Sequence, residues 1–279
     1  RSTITGALPK TGRMNLAYFA DTKGRLLTEM SVGRLGEDEF QLITAAPAQW
    51  HDFEVLRDRL PDGLELVDVT DDYSTLILTG PKSRELLAGL TDGDLSLGWL
   101  TIQDATVAGE QARLIRVSFA GELGWEIHAP MGSIKAIYDA VLAAGATPFG
   151  MYALNSMRIE KGYRAWKGDL SSDYTVLESG MERFVRLDKP QDFVGKAAIA
   201  AEHQQGRKKA FVTMTVEAGE QDAPYMAPVY ANGEVVGEVT SAAYGYRCDQ
   251  AIALGMVRID VAVAGTQLEI DVFGKRMAE

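Results

Sequence analysis

The chain has 279 residues, 46% hydrophobic and 24% charged, enough to bury a large core in one compact unit or in two to three small domains. A net charge of -11 with no Lys/Arg-rich run argues against a nucleic-acid partner. The single cysteine, Cys248, rules out an internal disulfide framework and multi-cysteine zinc or iron–sulfur sites. No apolar stretch approaches the roughly 20 residues that span a bilayer, so the chain reads as soluble, without a membrane partner, and of a reducing, cytoplasmic compartment. It opens on Arg1 rather than Met, which predicts a natural N-terminus further upstream.

In chain order, MNLAYFA, RLLTEMSVGRL and FQLITA predict strands joined across the turns DTKG (21–24) and GEDE (36–39), hence an antiparallel sheet. Apolar residues at Trp50, Phe53, Val55, Leu56 and Leu60 predict a first helix over 47–60, stopped by Pro61-Asp62-Gly63. LELVDVT (64–70) and STLILTG (74–80) read as strands, and PKSRELLAGL as a helix with Pro81 in its first turn. Three strands with glycine turns follow, then an amphipathic helix (133–145) ending at Gly145. A further helix over 150–166 would set Tyr152, Ser156, Ile159 and Tyr163 on one side, and FVGKAAIAAEH is helical. Beyond the polar junction HQQGRKKA the chain becomes short β runs, with a hairpin turn at Asn232-Gly233. The expected fold is α+β: antiparallel sheet with packed helices over 1–204, then a small all-β C-terminal barrel over 205–279.

No Gly-rich dinucleotide or P-loop motif is present, and His51, His128 and His203 are too scattered to indicate a zinc site, so no metal is expected. The stretch FAGELGWEIHAP (119–130) carries two acids, Glu122 and Glu126, around Trp125. Strict alternation would put both on one face. The Gly121–Gly124 turn breaks that register and leaves Glu122 on the hairpin.

Three stretches in this order resemble the aminomethyltransferase family, the tetrahydrofolate-binding T-protein of glycine cleavage. FAGELGWEIHAP is similar to its Tyr-Thr-Gly-Glu-x-Gly-x-Glu-Ile strand, and GMYALNSMRIEKGYRAWKGDL to its Ala-Arg-Asp-containing helix. VTSAAYGYRCDQAIALGMV is similar to its C-terminal barrel strand pair. RIEKGYRAW, LDKPQDFVGKAAI and LPKTGRMNLAYF look most like the folate-binding C-terminal region of dimethylglycine and sarcosine dehydrogenases and oxidases. The family normally begins several dozen residues earlier.

The resemblance implies bound tetrahydrofolate that captures a one-carbon unit from an N-methyl amine. It also implies FAD on a flavoprotein region or subunit outside residues 1–279, and a mitochondrial-matrix location in a eukaryote. It assigns Asp52 as the catalytic carboxylate near the folate N10; without it, Asp52 is more simply a solvent-facing first-turn acid. It assigns Glu126 to the amino and N–H edge of the pterin, where a carboxylate accepts two parallel hydrogen bonds. Tyr163, Phe119 in place of the motif Tyr, and Arg158 complete the implied cofactor contacts. For Tyr163 the alternative is core packing, and for Arg158 an ion pair inside the fold. Leu154 stands where the T-proteins have Arg, which favours the dehydrogenase-type subgroup. Competing readings are a glycine-cleavage aminomethyltransferase, a folate-dependent O- or S-demethylase, and a non-enzymatic folate-binding assembly or scaffold protein.

Overall fold

A computed structural model of the protein describes residues 3–217 and 221–278. The first half contains β1 (Arg13–Ala20), β2 (Leu26–Arg34), β3 (Phe40–Ile43), α1 (Gln49–Arg57), β4 (Tyr73–Thr79), α2 (Ser83–Ala88), β5 (Ile102–Val107), β6 (Glu110–Ile115), β7 (Gly124–Pro130) and α3 (Ile134–Ala143). The second contains α4 (Met151–Glu160), α5 (Lys196–Gln205), β8 (Lys209–Val216), β9 (Pro228–Ala231), β10 (Glu234–Gly245), β11 (Gln250–Arg258), β12 (Glu269–Val272) and β13 (Lys275–Ala278). The fold is α+β, as the patterning predicts. It divides into two compact units, one formed by Leu8–Leu16 with Met30–Gly150, the other by the remaining segments.

In the first of these units, β4, β7, β6 and β5 form a four-stranded antiparallel sheet in that order. Alternation sends Trp125, Ile127 and Ala129 of β7 into a core with Leu87 of α2 and with Ile137 and Val141 of α3. Trp125 is fully buried between the guanidinium groups of Arg84 and Arg116, whose central carbons lie 5.9 and 4.9 Å from its ring. Glycine is required at Gly124, where a Cβ would sit 2.9 Å from the Leu78 carbonyl oxygen. Glu122 lies in the bend before β7, off the strand. On the other side of the sheet Met14, Ile102 and Ile115 form a second cluster, joined by Leu35, Ile43, Leu100 and Val117.

The segment 64–70, expected as a strand, has no ladder partner. The Asp68 carboxylate instead accepts from the Thr70 N–H and hydroxyl and from the Gln49 amide, closing a local turn. Leu64, Val67 and Val69 stay exposed. Their alternation is strand-like, but a strand also needs a neighbour's edge.

The second unit is built on a six-stranded antiparallel sheet in the order β13-β12-β9-β10-β11-β8. Asn232 and Gly233, both at positive φ, make the hairpin turn between β9 and β10. Helix α4 packs against this sheet through Ile159, which clusters with Ala243, Ile252 and Leu254. It is shorter than the predicted 150–166. Gly162 adopts φ +63°, its N–H bonds to the Ile159 carbonyl, and the Tyr163 N–H bonds to the Arg158 carbonyl. This glycine-dependent helix ending leaves Tyr163 beyond the last turn. The expected side of the helix thus keeps Tyr152, Ser156 and Ile159 but not Tyr163, with Tyr152 94% exposed while Ser156 and Ile159 are buried.

The same unit holds a titratable pair, Tyr18 buried and Glu29 half-buried. The Tyr18 hydroxyl bonds to the Glu29 carboxylate; burial, partly offset by the Tyr18 bond and by Arg164, pushes Glu29 up to about 7 from 4.5. Burial first, then the Glu29 charge, raises Tyr18 as well. Because the folded state holds its proton more tightly than the unfolded chain, Glu29 favours folding below pH 4.5, and that contribution is lost as pH rises through 7. Relative to Glu29→Gln, the natural protein should lose about 1–3 kcal/mol of stability between pH 5 and pH 8, read by urea unfolding. An equal loss in the variant would exclude Glu29 as the cause.

Candidate functional site

Asp52 sits in the first turn of α1 and is 1% exposed, so the solvent-facing reading of this acid does not hold. The Thr44 hydroxyl, one residue past β3, donates to its Oδ2, and His51 Nδ1 lies 2.8 Å from its Oδ1. A carboxylate offers about four lone-pair sites. Asp52 is therefore held at both oxygens with lone pairs left uncommitted.

Glu126 lies on β7 facing away from Trp125, with its side chain 22% exposed. His128, two residues on and on the same face, places Nε2 3.0 Å from Glu126 Oε2. The other ring nitrogen, Nδ1, is 3.0 Å from the Thr75 hydroxyl on β4. Thr75, His128, Arg113 and Asp104 lie directly opposite one another across β4, β7, β6 and β5, a polar row over the sheet. Arg113 in that row donates 2.7 Å to Asp104 and 2.9 Å to Gln41. The adjacent row is apolar on either side of Glu126: Ile77 opposite it on β4, Ile115 on β6. Ile115, opposite Glu126 on β6, and Ile43, which precedes Thr44, belong to one apolar cluster.

In the other unit, Arg158 on α4 is 3% exposed and uses its whole fork within the fold. It donates to Asn155 through Nε and Nη2 at 2.9 and 2.7 Å, to the Tyr163 carbonyl at 2.9 Å, to Ser241 at 2.7 Å, and to Asp169. All five guanidinium N–H groups are engaged. Asp169, fully buried, also accepts from the Thr240 hydroxyl and the Ala165 N–H. The net effect is to fix the loop 161–170 against α4 and β10. Tyr163 on that loop is 38% exposed, and Phe119, in the turn before β7, is 37% exposed. Leu154, where the T-protein Arg is expected, is buried.

The residues that sequence reasoning passed over are His128, Thr75, Thr44 and Asp169. His128 carried a usable signal: two residues from Glu126 on one strand, it must share that face. Thr44, Thr75 and Asp169 are joined to their partners only by tertiary contacts.

The model of the GCVT N-terminal domain matches residues 2–189, and that of the glycine cleavage T-protein C-terminal barrel domain matches residues 209–278. The chain is 34% identical to dimethylglycine dehydrogenase, mitochondrial, of Homo sapiens, over 98% of its own length and 33% of that protein's. It is 29% identical to an aminomethyltransferase of Listeria monocytogenes, over 96% of this chain and 74% of the relative. The crystal structure of the glycine cleavage system aminomethyltransferase T of Bartonella henselae superposes with a TM-score of 0.85 at 27% identity, over 98% of this chain and 75% of that one. The chain thus spans about a third of the length of the dehydrogenase it matches. With both domain models matched in order and the fold superposed along nearly the whole chain, this protein belongs to the folate-dependent aminomethyltransferase family of the glycine cleavage T-protein.

Proposed function

We propose that this chain holds tetrahydrofolate and forms 5,10-methylenetetrahydrofolate from the one-carbon unit released when a dimethylglycine- or sarcosine-type N-methyl amine is oxidised. The oxidation itself belongs to an FAD-bearing region or subunit outside residues 1–279. The observation that carries this reading is Glu126: a half-buried carboxylate on the face of β7 opposite Trp125, with only Oε2 engaged among the described residues. Two oxygens in one plane suit the adjacent amino and ring N–H donors of a pterin. Apolar neighbours Ile77 and Ile115 lower the local polarity and strengthen such a pair of bonds.

Bound tetrahydrofolate would supply two nucleophilic amines to an electrophilic iminium or formaldehyde carbon. The chain's own task is then to orient and to accept a proton. Asp52, already fixed by Thr44 and His51, is suited to take that proton from the attacking amine. Phe119, more than a third exposed, offers a ring face for a flat part of the ligand. Arg158 is assigned here to positioning the Tyr163 loop, because its donors are already used.

The glycine-cleavage reading is weaker on one observation. The buried apolar Leu154 cannot replace the Arg expected to reach the folate in that subgroup. A mitochondrial location, that of the human dehydrogenase, extends to this chain only in a eukaryotic host.

Calorimetric titration with tetrahydrofolate should show saturable binding that Glu126→Ala weakens by about tenfold or more, the loss expected for hydrogen bonds to a charged group. Unchanged affinity would remove Glu126 from the site. In the flavin-containing enzyme, Asp52→Asn should lower methylenetetrahydrofolate formation by about a hundredfold while amine oxidation continues, so that free formaldehyde accumulates. A folate product formed at the normal rate would refute the role of Asp52.

A further inference from the structure

We infer that His128 is a positioning residue for Glu126, holding its carboxylate in the one orientation that presents both oxygens to a planar donor pair. The inference rests on the reading of Glu126 as a folate contact. A carboxylate only accepts, so the proton in the 3.0 Å contact between His128 Nε2 and Glu126 Oε2 comes from the ring. In the neutral ring the other nitrogen, Nδ1, is then an acceptor, and the Thr75 hydroxyl at 3.0 Å donates to it. The acceptor-only carboxylate thereby sets the tautomer, Thr75 holds the ring plane from the other nitrogen, and the ring is only 6% exposed.

Among the described residues, no other side chain is hydrogen-bonded to Glu126. Its direct cross-strand neighbours are Ile77 and Ile115. Arg113, the charged group facing His128 from β6, is committed to Asp104 and Gln41. The terminal torsion of a glutamate is broad, and a free carboxylate would have to be immobilised when ligand binds. The His128 bond fixes that torsion through one lone pair of Oε2, leaving the other and both on Oε1 for a two-point contact. Thr75–His128–Glu126 is thus an orienting chain running across β4 and along β7.

The test is titration of tetrahydrofolate, under reducing conditions, into the full chain carrying His128→Leu, His128→Gln or Thr75→Val. His128→Leu and Glu126→Ala are also combined, and thermal melting is followed throughout. His128→Leu should weaken binding about tenfold, whereas His128→Gln, whose amide nitrogen takes the place of Nε2, should stay within about threefold of the natural protein. Thr75→Val, an isosteric change that leaves His128 in place, should weaken binding about threefold with little change in Tm, and keeps the test open if His128→Leu does not fold. With Glu126→Ala already present, His128→Leu should add less than about twofold, because the group it orients is gone. The inference is overturned by normal affinity in His128→Leu, by equal losses in the Leu and Gln variants, or by a loss undiminished when Glu126 is absent. Full affinity in Glu126→Ala alone would instead bring down the assignment of Glu126 and the inference with it.

Discussion

The register of β7 is the constraint from which the site follows. One strand must send Trp125 into the helix-backed core and Glu126 with His128 to the opposite face, and a slip of one residue would exchange them. That exchange would put a carboxylate among Leu87, Ile137 and Val141 and expose an indole, at a cost of several kcal/mol from either side. The close approach of Gly124 to the Leu78 carbonyl pins the start of the strand, and pairing with β4 and β6 on both edges carries the register through His128. The chemistry at Glu126 therefore depends on packing beneath it that never meets a ligand.

The buried and half-buried acids of this protein fall into two kinds by how fully their neighbours satisfy them. Asp169 accepts from Arg158, Thr240 and the Ala165 backbone and is closed to solvent, so its work is structural. Glu126 is held through one directed bond and Asp52 through two, which set orientation without exhausting the lone pairs. A saturated charge network stiffens a fold, whereas an oriented and incompletely satisfied carboxylate is prepared for a partner. The same distinction separates Arg158, which the family likeness suggested as a ligand contact, from a free cation able to receive an anion.

The fold class and nearly all the elements were legible in the sequence because they rest on local signals: period-2 alternation along β5, β6 and β7, the Asn232-Gly233 turn, and the glycine at the end of α3. Where local pattern misled, a tertiary or capping fact intervened. LELVDVT alternates like a strand but meets no edge and is captured by the Asp68 turn. The helix at 151 stops at Glu160 because Gly162 takes a left-handed conformation, a signal present in Lys161-Gly162-Tyr163 but overridden by the apparent periodicity of Tyr163. At the site, the separation of Glu126 from Glu122 could be read from the glycines between them. The burial of Asp52 could not, since it depends on Thr44 reaching across from the end of another element.

One further consequence lies in the order of the chain. It enters and leaves the two compact units repeatedly, between Ala7 and Leu8, Leu16 and Ala17, Glu29 and Met30, and Gly150 and Met151. No single cut releases either unit as one continuous piece. Any single crossover inside the chain therefore splits the unit that contains both of its ends. To pass on that unit whole, an exchange has to move the entire stretch, and the stretch matches nearly end to end within a relative three times its length.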